Sequence, residues 1–422
     1  MDQRIKHLVD VTQDKLSLND YYLKSYTLNE RVNFLHETSY TLTMEWFPLH
    51  VPQENPDLNP VGTAVVEIDI HRKKFISVIF VGKTSYAKQP LLNDINQNNV
   101  IKWVEEETGL IYHQQFQLRQ ATDRKFYFQG IFQDIPTYPS SLIEITFDQT
   151  GKLILFTVQG HFPTKEMVKE EAFTLLFNHV KQIAKEQMKC LQYPDDKTEQ
   201  LRYVYGLEEI FITNNNHQTL TYQLLLEDKP YVERHEVIEW QTPLEEPFIR
   251  QEVLEEEAVT IEKAFASVPA NKALEITKQE QEKCFLAVKK FLRQQYPNDS
   301  GKWRLKTLVR QDDYILAMLR LVETDDFIFQ RKLTVFIDAE SYRAVNFIDN
   351  QDMIDLFNDY QSLKKSPMTK DEAFERLKDY ITIEPVYVYD RHLQSYILCG
   401  KLDSNYAIDM TDGSTTLLSE II

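Results

Sequence analysis

The sequence predicts an α+β fold made of repeated units, each a helix packed on a small antiparallel sheet, arranged as two duplicated halves. Three observations carry this. A β-alternating stretch that ends in Asp, passes through a polar turn and returns as a second apolar stretch recurs along the chain. Amphipathic helical segments fall between these hairpins. The order of features in the first half of the chain then reappears in the second. At 422 residues a single core is not expected, and several domains are the natural division.

The hairpin phrase is clearest in Ile143-Glu144-Ile145-Thr146-Phe147-Asp148-Gln149-Thr150-Gly151-Lys152-Leu153. Strict alternation puts Ile143, Ile145 and Phe147 on one face of a strand and Glu144, Thr146 and Asp148 on the other. The Asp carboxylate can accept from backbone N–H groups of the turn, and Gly151 tolerates a positive φ. Leu153 and Leu155 then return as the partner strand. Val66 to Asp69, Leu333 to Asp338 and Tyr406 to Gly413 are further copies.

Helices are expected in four places. From Thr164 to Met188, Phe173, Leu176, Phe177, Val180, Ile183 and Ala184 form one stripe, with Thr164 as N-cap. A second helix opens at Thr369 and turns Ala373, Phe374 and Leu377 inward. A third runs from Thr277 to Gln295 with Phe285, Val288 and Leu292 on its stripe. A shorter one spans Val100 to Glu107 and is closed by Gly109.

The larger period is legible in matched pairs. Lys169-Glu170-Glu171-Ala172-Phe173 matches Lys370-Asp371-Glu372-Ala373-Phe374, and Tyr203-Val204-Tyr205 matches Tyr387-Val388-Tyr389. Asp148 matches Asp338, Glu45-Trp46 matches Glu239-Trp240, and Ala64 to Ile68 matches Ala258 to Glu262. The expected units are 1–87, 88–162, 163–219, a degenerate fourth at 220–270 that lacks its helix, 271–352 and 366–422. In the fourth, Lys263 stands where Asp69 would be. Thr213-Asn214-Asn215-Asn216-His217 is a weakened turn, and Gln241 to Glu257, with two prolines and three consecutive glutamates, is expected as a connection.

A helix, alternating strands and a closing Asp-x-x-x-Gly-x-Leu hairpin resemble the PepSY-type unit. More closely, the chain is similar to the YcdB/YcdC-type repeat proteins of Firmicutes, which string several such units together. Tyr21-Tyr22-Leu23-Lys24, Thr41 to Trp46 and Val65 to Asp69 carry the likeness at the N-terminal end, with Phe147-Asp148-Gln149-Thr150-Gly151 the most complete match. His71-Arg72-Lys73-Lys74 stands where the family pattern has a glycine turn. The resemblance implies PepSY-like units, no catalytic residues to carry over, and a role in restraining peptidases or binding peptides.

Composition narrows the function classes. A formal net charge of −18 opposes general nucleic-acid binding, which needs clustered Lys and Arg. Cys190, Cys284 and Cys399 form no CxxC pair. No stretch approaches a membrane span, and the first residues lack the apolar core of a signal peptide, so a cytoplasmic protein is expected. No cofactor is expected, since GxGxxG and GxxxxGK[ST] are absent and the chain has ten glycines.

Metal and catalytic readings are weak. His36-Glu37 and His235-Glu236 begin like HExxH, but neither has the second histidine, and both segments read as strands. No GxSxG elbow occurs. Asp69, Asp148, Asp338 and Asp409 offer too few oxygens per turn for calcium and read as turn-stabilising residues. The remaining candidates are aromatic. Tyr203 with Tyr205, and Tyr387 with Tyr389, alternate on strand faces, as core packing or as an exposed ledge for a peptide. His71 to Lys74 is a basic cluster read as a solvated hairpin tip.

These readings lead to a non-catalytic protein- or peptide-binding or scaffold protein, with a peptidase as one candidate partner and an open sheet edge as one route to binding. The alternative is a hydrolase whose site is assembled between units from residues distant in sequence. The oligomeric state is left open by the sequence.

Overall fold

The computed structural model describes residues 1–422 except 34, 36, 54, 216, 222–230, 254–258, 270–275, 312, 324–326, 364–367, 391–392 and 422. The fold is α+β. Among the described residues, one helix followed by four strands occurs five times in chain order. The first such run is the helix Gln3–Lys15 with β1 (Tyr21–Val32), β2 (Thr38–Pro48), β3 (Ala64–Asp69) and β4 (Phe75–Phe80). The second is the helix Gln97–Thr108 with β5 (Phe116–Ala121), β6 (Lys125–Phe132), the extra short β7 (Ile135–Tyr138), β8 (Leu142–Phe147) and β9 (Leu153–Gln159). The third is the helix Phe177–Gln187 with β10 (Met188–Asp195), β11 (Gln200–Leu207), β12 (Ile210–Thr213) and β13 (Thr219–Thr221). After β14 (Tyr231–Ile238), the fourth is the helix Lys278–Gln295 with β15 (Trp303–Gln311), β16 (Tyr314–Leu321), β17 (Lys332–Asp338) and β18 (Ala344–Asp349). After β19 (Gln361–Ser362), the fifth is the helix Lys370–Leu377 with β20 (Thr382–Asp390), β21 (Ser395–Asp403), β22 (Tyr406–Asp409) and β23 (Thr415–Leu417).

The chain packs into two compact units, each discontinuous in sequence. One comprises Met1–Phe173, Glu257–Ala270 and Pro385–Cys399, the other Thr174–Glu256, Asn271–Glu384 and Gly400–Ile422.

In the first unit the strand order is β1-β2-β3-β4-β9-β8-β6, with β5 and β7 also paired to β6 and β20 parallel to β7 through Tyr387 beside Thr137. Alternation puts Leu42, Met44, Trp46, Val66, Ile68, Phe128, Ile143, Ile145 and Phe156 in one core. Ile5 and Leu8 of the first helix and Val100 and Val104 of the second are buried in the same core. Each such side chain contributes about 1.5–3 kcal/mol when fully buried. The Asp turns do what their residue type allows: Asp148 Oδ1 accepts from Thr150 N at 2.7 Å and Lys152 N at 3.0 Å. Asp69 Oδ1 accepts from His71 N and Arg72 N. Gly151 has φ +82°.

The second unit has a sheet in the order β14-β15-β16-β17-β18. Cys284, Val288, Phe291 and Leu292 of the helix Lys278–Gln295 pack with Trp303, Leu305, Ile315, Leu333 and Val335 of its strands. Thr277 and Glu280 form a reciprocal capping box, as do Thr369 and Glu372 on the helix Lys370–Leu377, which buries Ala373, Phe374 and Leu377. A second sheet runs β10-β11-β22-β23. In the first, second and fourth runs, the strands of a run stay together in one ladder. The third and fifth differ. The β10-β11 hairpin is completed by β22-β23, while β12-β13 lies beside β21, whose residues Gly400–Asp403 belong to this unit. These two runs have traded their second hairpins.

Several expectations change. The helix expected over Thr164 to Met188 forms only at Phe177–Gln187, after a single 3₁₀ turn at Lys165–Met167. Lys169 N donates to Tyr396 O at 3.0 Å and Val168 bridges to Tyr396, so this backbone bonds as an extended strand rather than along a helix. Phe173 therefore precedes the helix and is half-buried. Ile261–Phe265, matched in sequence to part of β3, is a short helix capped by Thr260, and Lys263 pairs with Glu30 instead of closing a turn. The helix Gln3–Lys15 was not anticipated, although Ile5, Leu8, Val9 and Thr12 have helical spacing. Residues 241–253 form neither helix nor strand. Positions 254–257 of that connection, Asn216 of the weakened turn, Ala258 and His36 lie outside the described residues.

Candidate protein-binding edge

β1 is a twelve-residue strand whose first residue is anchored. Tyr21 is buried, its hydroxyl donates to Gly62 O at 3.0 Å and accepts from Tyr86 N at 2.9 Å, and burial pushes its pKa up to about 12. The antiparallel ladder to β2 has one irregularity, between Leu23 and Ser25, which leaves Lys24 as a bulge. From Ser25 opposite Glu45 to Val32 opposite Thr38 the register is then unbroken. Tyr26, Leu28 and Glu30 stand opposite the core residues Met44, Leu42 and Tyr40. Ser25, Thr27, Asn29 and Arg31 stand on the other face.

That second face is a polar cross-strand ladder. Ser25 Oγ donates to Glu45 at 2.6 Å, Asn29 Nδ2 to Thr43 Oγ1 at 2.9 Å, and Arg31 pairs with Glu67 at 2.9 Å. Glu67 also accepts from Thr41 Oγ1 at 2.7 Å. These contacts tie β1 to β2 and β3 across that face. On its outer side, β1 has no ladder partner among the described residues. Tyr22 and Tyr26 are exposed along it, at 45% and 36%. An edge of this length presents a row of backbone donors and acceptors that an extended chain can satisfy.

The aromatic candidates are placed differently. Tyr387 and Tyr389, at 2% and 6% exposure, belong to a cluster with Phe132, Tyr396 and Leu398 in the first unit. The Tyr387 ring meets Phe132 edge-on at 5.6 Å, and burial raises its hydroxyl pKa. Tyr203 and Tyr205 lie on β11 in the second unit and are half-buried, with Ser362 Oγ 3.5 Å from the Tyr203 hydroxyl. The two pairs thus belong to different units and differ in exposure.

The remaining chemistry-bearing groups are engaged locally. In the basic turn, His71 Nε2 lies 3.1 Å from Ala264 O, and Lys74 Nζ donates to Glu106 O at 2.5 Å. Two cavities of about 260 and 310 Å3 share Lys15, which is ion-paired to Glu107 at 2.8 Å. His235 sits at an irregularity of β14 with φ +51° and is exposed. Burial pushes the thiols of Cys284 and Cys399 up to about 12, leaving little thiolate near neutral pH. Among the described residues no group of three or more His, Cys, Asp or Glu side chains is placed to hold a metal ion, and no helix is long and apolar enough to cross a membrane.

Fold and edge together define an α+β protein of helix-and-strand runs with a long strand that, among the described residues, is paired on one side. No family model matches the chain, and no curated protein matches it. A solved structure described as the Bacillus megaterium YpeB C-terminal domain is similar over 82% of this chain and 96% of its own, at 9% identity and a TM-score of 0.24.

Proposed function

We propose that the chain is a non-catalytic protein-binding protein that takes an extended segment of its partner along the outer edge of β1, by antiparallel or parallel strand addition. The observation that carries this is the unbroken stretch Ser25–Val32, which among the described residues has a ladder on one side only. Main-chain hydrogen bonds would supply affinity, at about 0.5–1.5 kcal/mol net each. Exposed Tyr26, and Tyr22 beyond the bulge, would add side-chain contacts. Lys24 at the bulge and Arg31 near the far end are the charges that discourage self-pairing of such an edge. In the same reading the five helix-and-strand runs are PepSY-like units of the YcdB/YcdC type, a proposal supported by the quoted turn residues and the element order. That likeness makes a peptidase the first partner class to try.

The test is selection of binders from a displayed library of random peptides, followed by hydrogen exchange with the best binder. Protection of amides in Ser25–Val32 supports strand addition. Binders that protect other segments and leave β1 exchanging freely would refute it. Proline at Tyr26 and, separately, at Thr27 removes one backbone donor from each side of β1 in turn. The variant that keeps the fold should lose the peptide.

A further inference from the structure

A second surface, in the other unit, has its own logic. The turn after the short helix Gln351–Asp355 carries Leu356, Phe357 and Tyr360. Phe357 stacks on Phe329 with centroids 5.5 Å apart and planes 11° apart, and meets Phe327 at 5.8 Å and Tyr360 at 5.4 Å. Phe327 is buried beneath this group, whereas Phe329 is 37% exposed, Met353 41% and Leu356 71%. Rings already locked in mutual contact lose little further freedom when covered, and Met adapts its shape to a partner. Such a group has the composition of an interface centre.

Its rim carries several carboxylates. From Ala344 to Leu363 the chain has four Asp and no Lys or Arg. Asp349 is neutralised by Arg331, but Asp352, Asp355 and Asp359 are exposed and have no ion-pair partner among the described residues. Tyr360 ties the patch to a second acidic turn by donating to Asp196 at 3.0 Å, and Glu199 lies exposed in that turn. An anionic lipid surface or a nucleic acid would be repelled by this rim. We infer that the patch around Phe329, Met353, Leu356 and Phe357 is a docking surface for a basic amphipathic helix of a partner protein. Apolar side chains of that helix cover the rings while its Lys and Arg face the Asp rim. The inference is independent of β1.

The probe is a fluorescently labelled amphipathic peptide of leucine and lysine at helical spacing, followed by anisotropy at two salt concentrations. Leu356→Ser and Phe329→Ala should each weaken binding about tenfold or more. Asp352→Asn combined with Asp359→Asn should weaken it and flatten its salt dependence. Leu58→Ser, an exposed leucine of the other unit at 65%, should leave binding unchanged. If patch and control variants bind alike, the peptide is reading only the overall charge and the inference fails. It fails equally if a leucine–glutamate peptide binds as well. Sedimentation of the unliganded protein covers the other occupant: a dimer that Leu356→Ser dissociates would make the patch a contact between copies of this chain and overturn the proposal.

Discussion

Arg202 donates to Asp409 Oδ2 at 2.6 Å, joining β11 to the last residue of β22. The same carboxylate accepts from Thr411 N at 2.7 Å through Oδ1, so one buried Asp both closes its own hairpin turn and fastens that hairpin to β11. Asp148 occupies the equivalent turn position but, among the described residues, its carboxylate bonds within its own hairpin, to Thr150 and Lys152.

A contrast in stability follows from that difference. Asp409→Ala leaves the Arg202 charge partly buried and removes a turn bond, and should cost about 2–3 kcal/mol. Asp148→Ala removes turn bonds at a half-buried site with no buried charge behind it, and should cost about 1 kcal/mol. Denaturant unfolding of both variants checks it, and equal costs would show that the Arg202 contact adds nothing.

Phe374 and Phe173 occupy matched sequence positions but different surroundings. Phe374 is fully buried on its helix, so Phe374→Ala should cost about 3–5 kcal/mol. Phe173 is half-buried in an extended segment, and Phe173→Ala should cost about 1–2 kcal/mol. The same unfolding measurement separates them.

Acid should weaken the second unit through Glu280. Partial burial works against its ionised form, but hydrogen bonds from Thr277 N and Oγ1, from Tyr342 and from Arg310 at 2.6 Å hold its pKa down to about 2. A carboxyl depressed in the folded state stabilises fully above its unfolded pKa, and that contribution is lost as pH falls toward the folded value. About 2 kcal/mol should therefore disappear between roughly pH 4.5 and pH 2. Glu280→Gln should be less stable than wild type at neutral pH and should lack that part of the pH dependence, as read from urea midpoints across the range.

The anchor of β1 is testable by a single atom. Tyr21→Phe removes the hydroxyl that serves Gly62 O and Tyr86 N, and should cost about 1–2 kcal/mol. Gly62→Ala should cost more, because its φ of +87° disfavours a side chain and a Cβ would sit 2.3 Å from the Tyr86 ring. Thermal unfolding ranks the two.

What was legible in the sequence is what is encoded locally. The turn at Asp148 and Gly151, the helix starts at Thr277 and Thr369 and the stripe Ala373, Phe374, Leu377 are all set within a few residues, and pattern reading finds them. The stretch around Val168 also has a helical pattern, but its extended state is imposed by Tyr396, far away in the chain. The same limit applied to the candidate surfaces. Alternation identified Tyr387 and Tyr389 as one face of a strand without saying that Phe132 and Tyr396 would cover it. Nor does alternation tell an outer strand from an inner one, so β1 gave no sign that its far side would go unpaired.

The exchanged hairpins impose an order in time. A ribosome delivers β10 and β11 long before β22, and until Tyr406–Leu417 emerges the side of β11 that later accepts Ile408 and Asp409 stays bare. A segment synthesised much later thus seals a sheet begun by β10 and β11, like a clasp closed after a strap has been wound. A nascent chain stalled before Tyr406, or a mature one clipped there by a protease, would lose order around Val204 and Tyr205 rather than at the cut alone.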